Sequence, residues 1–295
     1  MILPRPDDPD LPIGFRLARA IYALRRGGRG AYFLYTWLGR TGRLRRAGRF
    51  PYFEQQILVP LQVTATLFRA DFSLFHGKRE VNLAAQINRT LDRFTLIDCG
   101  AYYGQVSMRL PHLCPRLDSI IAIEPNPESA EVLAANLATA QVPYRVFHAA
   151  VADHHSRGDL IFPHGPNDPD AAYIKESPQG AIRILPIDDL VEEAGITAAG
   201  KDFVLKIDVE SQEAAAIAGA RKLIGSARRV CFFIEIHPET LKRTGTTAEA
   251  LLGAVSSIRP VDWYVADRLD WTIDPSQGVL DQIGGGIRDL IGVAN

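Results

Sequence analysis

Residues 96–104 read LIDCGAYYG: an apolar strand that ends on an acid, Asp98, and breaks into a loop between Gly100 and Gly104. An apolar run closed by a polar residue and followed by glycines is a strand–turn–helix entry, and glycine there lets a backbone or a ligand approach closely. The question it raises is whether the loop only turns the chain or has been cleared for a ligand. The two glycines stand four apart and do not form G-x-G-x-x-G, which argues against a dinucleotide pyrophosphate at this turn.

Outward from this stretch the chain alternates strand and helix, the pattern of a parallel sheet covered on both faces. Strands are predicted near 94–98, 119–123, 144–148, 203–207 and 230–236, and helices near 104–112, 127–139, 212–224 and 246–256. Helix 127–139 has Asn126 as its cap, Pro127 in its first turn, and an apolar stripe of Ala130, Leu133, Ala134 and Leu137. Between the third and fourth strands RGDLIFP and AIRILP are predicted as hairpin strands around a loop at 163–180. Ahead of the alternation, helices are expected near Phe15–Leu24, Ala31–Leu38 and Glu80–Leu91, with two short antiparallel strands within 52–75. Near the end, DWYVADRLDWTI reads as an antiparallel pair closing the sheet, and QIGGGIRDLIGVAN as a flexible end. The division expected is an extension at 1–92, an α/β domain at 93–280 and a tail at 281–295.

Ligands of open α/β sheets bind outside the carboxyl ends of the strands, and four features fall there. In the opening stretch, Asp98 is placed to accept from an amine while the following helix offers free N–H groups to a carboxylate. S-adenosylmethionine carries both groups side by side. In IAIEPNP, Glu124 ends the second strand where an acid accepts from two ribose hydroxyls, followed by Pro125 and Asn126. In HAAVAD, Ala150 and its small neighbours suit the floor of an adenine site, or a plain strand exit. In FVLKIDVES, Lys206, Asp208 and Glu210 alternate and share a face, where three charges must pair or bind something. Downstream in FFIEIHPE, Glu235 and His237 reach towards the same cleft; His237 is the best general-base candidate by intrinsic pKa, with Asp208 and Glu210 as alternatives and Lys206 beside them in the catalytic group.

These motifs, LIDCGAYYGQVS, IAIEPNP with the asparagine of LAANL, ILPIDDL, VLKIDVESQEAAAIAGARKLI and FFIEIHPE, occur in the order found in the FkbM family of S-adenosylmethionine-dependent methyltransferases, which residues 94–240 resemble. The resemblance implies a Rossmann-like class I methyltransferase fold, α/β, with a mostly parallel seven-stranded sheet. It implies O-methylation of a hydroxyl on a sugar, glycan or secondary metabolite. Asp98, Gly100, Ala101, Tyr102 and Gly104 would hold the methionine part of the cofactor and Glu124 the ribose, while Asp208, Glu210 and His237 would face the acceptor. A divalent ion at Asp208 and Glu210 is compatible with the residues, but an ion pair with Lys206 is favoured and no metal is assigned. Two positions depart from the family pattern: Tyr102 stands where asparagine is usual, and Ser211 where glycine follows the glutamate. The alternative reading is a cofactor-binding or scaffold protein without catalysis, acting through its basic arm.

That arm is the main asymmetry of the composition. The 295 residues carry a net charge of −1, yet residues 1–50 hold eleven Arg, no Lys and three Asp, about +8, leaving the remainder about −9. The arm is expected to pack on the body or form a homodimer contact, or to touch a membrane surface peripherally. Nucleic acid is disfavoured because no binding module accompanies the charge. Cys99, Cys114 and Cys231 have no metal-ligand spacing, and Cys99 and Cys231 read as reduced core residues, which with the acidic, Pro-rich start favours a cytoplasmic protein.

Overall fold

The computed structural model describes residues 3, 11–25, 29–75, 77–163 and 172–294. Most of the Pro-rich start and the centre of the 163–180 loop lie outside them. The strands are β1 (Ala47–Tyr52), β2 (Gln55–Pro60), β3 (Phe94–Cys99), β4 (Leu117–Ile123), β5 (Tyr144–Phe147), β6 (Ala149–Val151), β7 (Ser156–Ile161), β8 (Tyr173–Glu176), β9 (Ile182–Leu185), β10 (Asp202–Ile207), β11 (Arg229–Ile236), β12 (Asp262–Val265), β13 (Arg268–Ile273) and β14 (Arg288–Ala294).

Eight of them form the main sheet in the order β13-β12-β14-β11-β10-β3-β4-β5. The neighbours from β11 to β5 pair in parallel, and β14 runs antiparallel to β11. Strands β3 and β10 are apolar and buried along almost their whole length, as strands covered on both faces must be. This is the Rossmann-like α/β architecture expected, with β13 as an eighth strand at the edge. The strand order reverses between β3 and β10, so a crevice opens at their carboxyl ends.

The two faces are covered by different parts of the chain. Leu96, Val204, Cys231 and Ile291 pack in one core with β1, β2 and helices Lys78–Thr90, Gln105–Leu113 and Pro127–Leu137. Ile97, Leu205, Phe232 and Ile234 face the other way, onto helices Ile187–Glu193, Glu213–Ala218, Arg221–Ser226 and Ala248–Ser256. The extension is thus part of the first core. Asn136, the asparagine of LAANL, fixes it there: its amide donates to Leu58 O (3.0 Å) and Tyr103 O (2.8 Å) and accepts from Leu58 N–H (2.8 Å). Tyr52 adds a hydroxyl bond to Gln105 O at 2.8 Å.

Three expectations change. The antiparallel pair lies at 47–60, and the rest of 52–75 forms a short helix, Ala65–Phe68, and a 3-10 turn, Phe72–Phe75. Helix 212–224 is two short helices broken at Gly219–Ala220. The stretch read as a flexible end instead supplies β14, which inserts between β11 and β12. Its place is set by long-range pairing and by Gly292, where a Cβ would come within 2.7 Å of the Trp263 ring. The hairpin expected in the insertion forms as β7 against β9. Parallel β6 on β9 and antiparallel β8 on β7 complete a small four-stranded sheet.

Candidate active site

At the carboxyl ends of β3, β4, β10 and β11 lies a cavity of about 340 Å³. Of the residues singled out in the sequence, Asp98, Gly100, Ala101, Tyr102, Glu124, Pro125, Asn126, Ala150, Lys206, Asp208 and Glu210 all line it. Gly104 and His237 do not. Gly104 is the left-handed residue (φ 88°) that starts helix Gln105–Leu113, close under Leu133.

The loop after β3 is shaped by contact with the loop after β10. Gly100 has φ 72°, and a Cβ there would sit 1.8 Å from the carbonyl oxygen of Asp208. No other residue fits. Asp98 is buried at the end of β3. Its Oδ2 accepts from Ser107 Oγ at 2.6 Å, whereas the buried Oδ1 has Lys206 Nζ at 3.4 Å as its ion-pair partner and no shorter hydrogen bond among the described residues. Lys206 donates to Gly100 O at 2.7 Å and lies 3.3 Å from Asp208 Oδ2. Burial works against its charge, but Asp208 and Asp98 outweigh that and hold the ammonium pKa above its ordinary value. The ion pair expected of Lys206 is therefore present, shared between two carboxylates.

Glu124 ends β4 with both oxygens engaged from behind. Tyr102 N–H donates to Oε2 and Asn126 N–H to Oε1, each at 2.8 Å. Burial nevertheless pushes its carboxyl up to about 7. Tyr102 has φ 53°, the left-handed region that asparagine adopts more readily than bulkier residues. That is a physical reason for asparagine at this position in the family pattern. Small side chains of β6, Ala149 and Ala150, form a further wall.

Two regions join the site without any local motif announcing them. Val63, Arg69 and Phe72 from the extension form one wall, and Leu160, Tyr173 and Ile174 from the small sheet form another. Asp289 of β14 stands beside Glu235 in register on β11, and its carboxylate pairs with Arg79 of the extension. Burial raises Asp289 to about 6 against the pull of Arg79. Glu235 is held well above the usual carboxylate range, first by burial and then by Asp208, Asp289 and Glu210. Asp208, Glu210 and Glu235 can bring one oxygen each within 4.8 Å of one another.

His237 has a different position from the one expected. It is the N-cap of helix Pro238–Thr244, and its Nδ1 accepts from Glu239 N–H at 3.2 Å. A cap residue followed by Pro at the first helical position is a readable signal, and the His-Pro-Glu run carries it. The three cysteines are free and buried, with thiols pushed up by burial.

A family model described as the methyltransferase FkbM domain matches residues 98–256. The chain belongs to the FkbM family of S-adenosylmethionine-dependent methyltransferases. No curated protein matches it. Solved structures similar to this FkbM chain include a precorrin-6y C5,15-methyltransferase from Geobacter metallireducens (15% identity, 73% of this chain and 85% of that chain, TM-score 0.38). They also include an O-methyltransferase from Bacillus cereus solved with SAH (13% identity, 74% and 80%, TM-score 0.40). A third is the O-methyltransferase TomG from Streptomyces achromogenes, involved in tomaymycin synthesis and solved with SAM (12% identity, 73% and 78%, TM-score 0.40).

Proposed function

We propose that this FkbM methyltransferase methylates a hydroxyl group of an uncharged, polyhydroxylated small molecule or glycan, with Glu235 taking the hydroxyl proton. The observation that carries the reading is the convergence of Asp208, Glu210 and Glu235 in the cavity wall, with Asp208 against the Gly100 loop.

The residues fit the cofactor. Asp98 Oδ1, whose partner among the described residues is the Lys206 ammonium at 3.4 Å, is a buried acceptor suited to the amine of the methionine part. Gly100 holds its loop against Asp208, where no side chain is tolerated. Glu124 is fixed from behind by two N–H groups, and its remaining lone pairs suit the ribose hydroxyls. Ala150 leaves room for a flat base. Bound there, S-adenosylmethionine supplies an electrophilic methyl group whose bonding pair stays on sulfur as the acceptor oxygen takes the carbon. The chain's own contribution is to orient the hydroxyl and accept its proton on a Glu235 oxygen. Burial and neighbouring carboxylates make Glu235 a stronger base than an ordinary carboxylate, while Lys206 lies at ion-pair distance from Asp208 and Asp98. Seven acidic and three basic side chains line the cavity, so it stays net negative even with Glu235 protonated and Glu124 half-charged. That balance repels a phosphorylated or nucleic-acid acceptor and favours a neutral one.

The test is transfer of labelled methyl to a panel of sugars and hydroxylated metabolites, with NMR of the product to place the methyl on oxygen. Glu235→Gln is expected to lower kcat by about 100-fold or more with donor affinity unchanged, the usual scale for losing a general base. His237→Ala should leave kcat within about threefold, as a lost cap acts on local stability alone. The base must be unprotonated, so kcat/KM should rise with pH through the elevated Glu235 pKa. Asp208→Asn removes a charge that raises that pKa and should move the rise to lower pH. Full activity in Glu235→Gln would remove it as the base. Calorimetric donor binding without transfer to any acceptor would favour the non-catalytic scaffold.

A further inference from the structure

We propose that the paired helices Ile13–Arg25 and Arg29–Arg40 dock the protein on an anionic lipid surface. Between Leu11 and Phe53 the chain carries ten arginines and no Asp, Glu or Lys. Within this segment helices Ile13–Arg25 and Arg29–Arg40 pack against each other and onto the body through Phe15, Ala18, Tyr35 and Leu38. Each helix also carries apolar residues away from that buried face. On the first, Ile13, Leu17 and Leu24 recur at helical spacing, with Leu24 85% exposed. On the second, Phe33 and Trp37 stand one turn apart, with Phe33 77% exposed. Arg16, Arg40, Arg43 and Arg45 of the same segment are exposed, and the Arg43 guanidinium lies 4.9 Å from the Trp37 ring centroid.

Exposed aliphatic and aromatic side chains among arginines, with no acid in the segment, match the interface of a bilayer. Acyl chains take the apolar crest, and anionic headgroups pair with the guanidinium groups. Other occupants fit less well. A symmetric dimer through this face would set arginine against arginine, and a nucleic-acid backbone gives Ile13, Leu17 and Leu24 nothing to bury against. No described helix is long and apolar enough to cross a membrane, so the contact is with the surface. The first helix also touches the site's wall: Arg19 donates to Arg69 O at 3.0 Å, and Arg69 lines the cavity.

Vesicle flotation of the full chain tests this independently of catalysis. Binding to mixed phosphatidylcholine–phosphatidylglycerol vesicles at low ionic strength is expected, with weak binding to phosphatidylcholine alone. Arg40→Gln/Arg43→Gln/Arg45→Gln should weaken it about 100-fold, since each basic residue near an anionic surface contributes roughly fivefold. Phe33→Ser/Trp37→Ser, at exposed positions that leave the fold intact, should weaken it roughly tenfold or more. Trp37 emission should be quenched by brominated lipid. Failure of the wild type to float with anionic vesicles would overturn the proposal. So would full binding by the Phe33/Trp37 variant, self-association through this face, or binding of single-stranded RNA in place of vesicles.

Discussion

The two loops that meet at the head of the sheet solve one steric problem in different ways. The loop after β3 places Gly100 and Gly104 at positive φ, at points where a Cβ would strike Asp208 O or Leu133. The loop after β10 also turns through the left-handed region, yet does so with Glu210 (φ 49°) and Ser211 (φ 91°). Side chains hold that second turn. Ser211 N–H donates to Glu213 at 3.1 Å, and Ser211 Oγ accepts from Arg243, whose guanidinium also lies over the Tyr173 ring at 4.6 Å. Where space is absent the chain needs glycine. Where only backbone torsion is unfavourable, a polar network holds a side chain in place at a cost of about 1–2 kcal/mol per residue.

Gly100→Ala gives the sharpest break. It adds both strain and an overlap with the Asp208 carbonyl, so the two loops must separate. We expect about 3 kcal/mol or more of lost stability and loss of donor binding, read by denaturant unfolding and calorimetry. A stable, donor-binding variant would show that the loops need not touch.

Glu124→Ala acts one step removed, because Glu124 anchors Tyr102 as well as facing the cavity. It should lower donor affinity by about 2–3 kcal/mol, from charged hydrogen bonds to the ribose, and lower stability by about 1–2 kcal/mol, from two N–H groups left without their acceptor. Loss of stability with unchanged donor affinity would leave Glu124 as a loop anchor and remove it from the ribose site.

The central strands and the first loop were readable because local signals and tertiary position agree there. Buried parallel strands are apolar runs, and Asp98, Gly100 and Glu124 end them where ligands of such sheets bind. β14 was not readable in the same way. The run of three glycines before it suggests mobility, and IRDLIGVA becomes a strand only through pairing with β11 and β12. With it went the place of Asp289, and hence one of the charges around Glu235. The extension's share of the cavity is equally non-local, since Asn136 joins β2, the Tyr103 loop and helix Pro127–Leu137 across 78 positions of sequence. His237 shows the opposite failing: intrinsic pKa pointed to a base, while its Pro-Glu context signalled a helix cap.

The smallest effect separates the two loops most cleanly. Ser211 already carries a Cβ, so at this position glycine and alanine differ in backbone torsion and not in available space. Ser211→Ala keeps the strain and loses the Arg243 bond, and should cost about 1 kcal/mol. Ser211→Gly loses the same bond but relieves the torsion, and should be about 1 kcal/mol more stable than the alanine variant, close to the wild type. The Ala–Gly difference at 211 is thus about a third of that at 100, the remainder being the collision with Asp208 O. Equal differences at both positions would mean that torsion alone governs the first loop, and that its apparent contact with the second carries no energy.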